Sequence, residues 1–243
     1  MSLLTDIVSY WKLDSTTWVI AYDSVGSNHL TVYWACSRTT GVINNCIRQP
    51  WADNYLLWNI PVSTLVNWVD GFSFNCRLKD IEVQESMWAG TGIFKASWNN
   101  RTDQVKLLYE NGSYLPNYEC LTGWTPVTLV DTRTSVLWAW PVMVTFVISA
   151  GGTEIKIYQN GVLTRHDVWY ATQNTIATTW WVLLWYDNYD GGAWRFIKGK
   201  YDEVWLRGRP LTDSEILKLY NGWKWLSYPF LRRTTRRINN SGL

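Results

Sequence analysis

The chain has 243 residues, 47 % of them hydrophobic and 17 % charged, with a formal net charge of +2. That composition excludes a disordered chain, and the near-neutral balance argues against a nucleic-acid partner. The length suits one large all-β domain, and no internal repeat or low-complexity linker marks a second one.

The opening, MSLLTDIVSYWKLD, lacks a basic start and carries Asp6 where a secretory signal needs an apolar core. The longest apolar run, 136–150, is broken by Pro141, Thr145 and Ser149 and falls short of the ~20 residues a membrane helix needs. The expectation is a protein without leader or membrane insertion, which reaches a virion surface or the extracellular space by lysis, particle assembly or processing. Cys36, Cys46, Cys76 and Cys120 are widely spread with no C-x-x-C pair, which points to buried thiols rather than zinc or redox chemistry.

In chain order, strand signals occupy IVSYWKL (7–13), 54–60, GFSFNCRLK (71–79), GIFKASW (92–98), QVKLLYE (104–110), PVMVTFVIS (141–149), EIKIYQ (154–159), TTWWVLLWY (178–186) and YDEVWLR (201–207). Several alternate as half-buried strands do: Ile155 and Ile157 oppose Glu154, Lys156 and Tyr158, and Val204 and Leu206 oppose Glu203, Trp205 and Arg207. Asn160-Gly161 and Asn111-Gly112 predict hairpins, because Asn-Gly accepts the positive φ angles of a type I′ turn. Short, regularly spaced strands of this kind argue a sandwich or barrel.

One helix is expected, and it comes late. Thr212 and Glu215 form a T-x-x-E capping box, Ile216, Leu219 and Tyr220 share a face, and Asn221-Gly222 supplies the stop. About ten residues make too short a helix to stand alone, so it must dock on the sheets.

That C-terminal stretch resembles the laminin-G-like, concanavalin A-like lectin/glucanase domains, whose last strand runs from D-E-V to R-x-L and into T/S-x-x-E-I-x-x-L-Y. The matching residues are Asp202, Glu203, Val204, Arg209, Leu211, Thr212, Glu215, Ile216, Leu219 and Tyr220. Further landmarks agree in order: SYWKLD (9–14), YDSVGSNHLT (22–31), GVINN (41–45), NYL (54–56), FSF (72–74) and IYQNGVL (157–163). The closing NGWKWLSYPF is similar to phage and bacterial members. The resemblance implies a jelly-roll β-sandwich of two antiparallel sheets over residues 1–230, with the short helix packed across one end, followed by a basic polar tail at 231–243. Two departures stand out: Asn75, Cys76 and Arg77 follow FSF where the family carries an aromatic, and Gln49 replaces a core Phe.

Glycoside cleavage needs a carboxylate pair at a set separation, and the related glucanases hold theirs in E-x-D-x-x-E. No such triple occurs here; Asp80, Glu82 and Glu85 have a different order and are expected in a loop. With only His29 and His166, no triad or zinc pattern is present either. The resemblance implies a structural calcium site at Asp23, Asn28 and Asp202, set against a reading in which these side chains simply satisfy turn amides.

Flat aromatics beside polar groups suit the C–H face and hydroxyl rim of a sugar. The candidates of that kind are Trp98 and Asn99, then Tyr186, Asp187, Asn188, Tyr189 and Asp190, and Trp194, all expected on loops. The expectation is therefore a non-catalytic, lectin-like recognition or adhesion module of a phage virion, binding glycan or cell-surface polysaccharide. The rival is a structural, capsid-decorating protein whose partners are other virion proteins or copies of itself. A degenerate glycoside hydrolase is the third reading.

Overall fold

A computed structural model describes residues 3, 5–14, 19–33, 36–49, 55–58, 70–82, 91–96, 104–109, 116–122, 125–130, 141–168, 182–184, 186–189, 193–196 and 198–221. Among them are two eight-stranded antiparallel sheets, a two-stranded ribbon and one α-helix. The architecture is the expected β-sandwich.

The first sheet holds β1 (Ile7–Trp11), β4 (Ser37–Thr40), β5 (Asn45–Gln49), β7 (Phe72–Glu82), β12 (Val142–Ile148), β13 (Glu154–Gln159), β14 (Val162–Val168) and β18 (Lys198–Arg207). Its order is β14-β13-β12-β7-β18-β5-β4, with β1 also paired to β18. The second holds β2 (Ile20–Ala21), β3 (Leu30–Tyr33), β6 (Tyr55–Trp58), β8 (Thr91–Ala96), β9 (Gln104–Tyr109), β10 (Pro116–Thr122), β11 (Thr125–Val130) and β15 (Val182–Leu184). Its order is β11-β10-β9-β8-β15-β6-β3-β2. β16 (Tyr186–Tyr189) and β17 (Ala193–Phe196) form the ribbon.

Alternation predicts one wet face for the first sheet, yet every residue of β12 and every residue from Tyr201 to Arg207 is buried. The reason is a second layer. Register places Phe72, Phe74, Cys76 and Leu78 beside Ile148, Phe146, Val144 and Val142 on one face, and that face meets the sandwich interior. The opposite face carries Met143, Val147, Tyr158, Trp205 and Tyr10, which form one buried cluster with Leu211, Ile216, Leu219 and Tyr220. The helix α1 (Asp213–Tyr220) therefore lies across the outer face of a sheet rather than closing an end of the sandwich.

Local chemistry fixes the helix start as its sequence predicts. The Thr212 N–H donates to Glu215 Oε2 (3.0 Å) and the Glu215 N–H to Thr212 Oγ1 (3.4 Å). Asn221 terminates the helix in the left-handed region at φ 48°. The Asn160-Gly161 turn has φ values of 51° and 79°, as a type I′ hairpin demands, and joins β13 to β14. A side chain at Gly161 would stand 3.1 Å from the Tyr220 Cβ, so the turn is also where the helix seats. The other hairpin pairs β9 with β10 at Tyr109 and Pro116; its Asn111-Gly112 turn lies outside the described residues.

Replacing Thr212 with Ala removes the cap and should cost about 1 kcal/mol in urea denaturation. Leu219→Ala should cost about 2–5 kcal/mol, because it opens a cavity beneath the helix. A Leu219→Ala cost no larger than the cap's would mean that the helix does not seal the outer face.

Candidate functional site

The D-E-V motif lies at a β-bulge. Between Asp202, opposite Arg77, and Trp205, opposite Asn75, β18 advances three residues while β7 advances two. Glu203 absorbs the difference with φ 51°. As a result Asp202, Trp205 and Arg207 all occupy the outer face, and three charged side chains converge there out of water. Arg77, Asp202 and Glu203 are 0 %, 1 % and 2 % exposed.

Each charge has defined partners. The Glu203 carboxylate accepts from the Tyr10 hydroxyl and lies 3.8 Å from the Arg77 guanidinium. Asp202 Oδ2 accepts the backbone N–H groups of Val42 (2.8 Å) and Ile43 (2.7 Å), so it holds the β4–β5 turn. A Cβ at Gly41 would fall 2.6 Å from that oxygen, which explains the glycine opening GVINN. Asp202 Oδ1 is buried without a hydrogen-bond partner. Burial pushes both carboxyls up to about 7, against the lowering influence of Arg77.

Raised carboxyls are frequent in catalytic clefts. Here they are buried beneath the outer layer and bind internal amides, a tyrosine and an arginine. Asp80 and Glu82 belong to β7 rather than to a loop, and Asp80 pairs with Lys200 at 2.6 Å. Glu85 lies outside the described residues.

Among the implied calcium ligands, Asp23 and Asn28 come together and Asp202 stands apart. Asp23 Oδ1 accepts the N–H groups of Tyr10 and Val25 (both 3.0 Å), and Oδ2 accepts that of Asn28 (3.3 Å). Asn28 Nδ2 donates to Ser9 Oγ (2.7 Å) and to the Val8 carbonyl (3.3 Å). Strand β1 separates this turn from Asp202, since Trp11 bridges to Asp23 and pairs with Val204. Among the described residues no group of three His, Cys, Asp or Glu side chains converges as metal ligands do.

The aromatic candidates fall mainly on the ribbon. Tyr186, Asp187, Asn188 and Tyr189 are in β16 and Trp194 is in β17, so they are strand residues and not loop residues. Asn188 faces Trp194 across the ribbon, Asp187 faces Arg195 and Tyr186 faces Phe196. The ribbon runs beside β8. Trp98, Asn99 and Asp190 lie outside the described residues.

Cys36, Cys46 and Cys76 are buried free thiols; burial pushes the first two up to about 12 and the third higher still. Such thiols are inert as nucleophiles. Arg77 and Arg207 are central residues that periodicity alone misses. The clue to Arg77 was its position as a cation between Cys76 and Leu78 in a strand that opens on Phe72 and Phe74.

The helix start adds a titrating pair. Arg209 donates to both Glu215 oxygens (2.9 and 2.7 Å) and holds that carboxyl down to about 2.

No protein-family model and no curated relative matches the sequence. Solved structures do. The binding domain of Paraclostridial Mosquitocidal Protein 1 superposes with a TM-score of 0.71 at 13 % identity, over 91 % of this chain and 53 % of that one. Domain 4 of AbnA, an extracellular GH43 arabinanase of Geobacillus stearothermophilus solved with arabinotriose, gives 0.68 at 13 % identity over 87 % and 97 %. The binding domain of Botulinum Neurotoxin DC in complex with SialylT gives 0.68 at 13 % identity over 92 % and 53 %. The likeness is one of fold, and the chain spans about half the length of the two toxin binding domains.

Linkage sets the pH response. Asp202 and Glu203 keep their protons in the folded state above the unfolded value of about 4, so their contribution is full below that and lost as pH rises through about 7. Glu215 works in reverse: its contribution is full above about 4.5 and lost as pH falls toward 2. The melting temperature should therefore peak near pH 5 and decline toward pH 8, and Asp202→Asn should flatten the alkaline side. A maximum at pH 7–8 would contradict the buried-carboxyl assignment.

Proposed function

We propose that the protein is a non-catalytic, lectin-like recognition module that binds glycan at the surface of its particle or cell. The observation that carries this reading is the division of labour among polar groups. The described carboxyls with raised proton affinity are sealed inside as structural ties, whereas Tyr22, Ser24, Ser27 and His29 are exposed together on the turn after β2. Three structures of the same fold support it, two of them being toxin binding domains and one a domain solved with arabinotriose. A phage virion is the setting that the closing segment suggests, and cell-surface polysaccharide is the corresponding ligand.

The structural reading rests on a separate observation. β14 is an edge strand of the first sheet with Val162 and Val168 exposed, and Leu217 of the neighbouring helix is exposed as well. Such an edge suits contact with a second copy or another particle protein.

A glycan array that includes arabinotriose and sialylated oligosaccharides should give saturable, saccharide-selective signal with the purified protein. Absence of signal, together with an obligate oligomer in light scattering, would favour the structural reading, and release of reducing sugar would restore an enzyme. The same array with EDTA tests calcium. Because the Asp23 oxygens already accept three amide N–H groups, binding should survive the chelator; loss of signal would show that a divalent ion takes part.

A further inference from the structure

Six large hydrophobic side chains are exposed among the described residues, and three of them, Val19, Tyr22 and Val25, fall within seven residues of each other. They flank β2 and enter the turn that leads to β3. Three exposed apolar side chains on so short a segment offer a surface to a ligand or a partner.

The turn is held unusually firmly for a surface segment. Asp23 accepts from three amides, Trp11 Nε1 donates to the Asn28 carbonyl (2.6 Å), and the Ser24 N–H reaches the Tyr10 carbonyl (2.7 Å). From this frame Tyr22 projects 48 % exposed, its ring edge-on to His29 at 5.2 Å and 73°. His29 Nδ1 accepts the Asp23 N–H at 3.1 Å, so the neutral ring carries its proton on Nε2 and keeps that donor for another group. Ser24, Ser27 and His29 are exposed along the same turn.

We propose that the Tyr22–His29 turn is a saccharide-binding shelf, with the Tyr22 ring against the C–H face of a sugar and the His29 Nε2–H and serine hydroxyls on its hydroxyl rim. The inference rests on the glycan-binding reading and places its contact at a segment distinct from the ribbon. A sugar fits better than a protein partner on two counts. One exposed ring with polar neighbours matches a single saccharide unit, whereas a stable protein interface needs about 800 Å² per partner. The tied backbone also leaves little ordering entropy to be lost on binding, which weakly held oligosaccharides require.

The test is ligand-observed saturation-transfer NMR with arabinotriose, sialyllactose and cellotriose, followed by titration of whichever responds. Tyr22→Ala should weaken binding about tenfold or more, and Tyr22→Phe, which keeps the flat ring, should stay within about threefold of wild type. Trp194→Ala on the ribbon serves as the comparison. If wild type binds and Tyr22→Ala binds equally well, the shelf is wrong while the glycan reading stands. If wild type binds none of the three and the glycan array is blank as well, both are overturned. An unchanged melting temperature for Tyr22→Ala keeps a loss of binding from being read as unfolding.

Discussion

The rest of the structure depends on one extra residue in the last strand. Without the bulge at Glu203, strict alternation along β18 would send Asp202 and Trp205 to opposite faces. With it, both stand on the outer face, where Asp202 fastens the β4–β5 turn and Trp205 joins the cluster under the helix. Three buried ionisable groups in one place are tolerable only when they answer one another, and Arg77 on β7, opposite Asp202 and 3.8 Å from Glu203, lowers both carboxyls against the effect of burial. The D-E-V motif and the polar departure at Arg77 are thus two halves of one arrangement.

From that point the outer layer assembles by short, specific ties. Arg207 donates to the Thr5 and Leu3 carbonyls and lies over the Trp205 ring at 4.6 Å, strapping the N-terminal segment down. Arg209 joins Asp6 (3.0 Å) to the helix through Glu215, and Ser73 links the strand below to Leu211 and Arg209. Tyr158 reaches Asp213 at 2.7 Å across the layer. With one face of the first sheet covered by the helix and the other by the second sheet, neither broad face is left for a ligand. The proposed contacts accordingly lie at a turn, the Tyr22–His29 segment, and on the β16–β17 ribbon.

Much of this was legible in the sequence because it depends on local chemistry. The capping box at Thr212, the Asn160-Gly161 turn and the strands around Phe72, Val142 and Ile155 follow from side-chain period and backbone preference alone. The covered outer face was not, since Trp205, Arg207 and Tyr158 alternate as a solvated face would and only tertiary contact buries them. β4 and β5, reading SRTT and NCIRQ, carry too little apolar alternation to announce strands. For the candidate site, Asp23 and Asn28 were identifiable as a pair because they lie five residues apart. The assignment of Asp202 to the Val42 and Ile43 amides, some 160 positions away in the chain, needed the fold. The ribbon aromatics were found by composition, but their strand pairing was hidden by the Asp-Gly-Gly segment, which reads as an open loop.

The central claim is that the Glu203 bulge and Arg77 form one energetic unit holding the outer layer in place. A double-mutant cycle of Arg77→Met and Glu203→Gln, measured by urea denaturation, tests it most directly. At pH 8, where the Glu203 carboxyl is ionised, each single change should cost about 3–5 kcal/mol by stranding a buried charge. The double variant should lose less than the sum, with a coupling of about 1–3 kcal/mol. Costs that add to within about 0.5 kcal/mol would show that the two residues act independently, and would contradict the account.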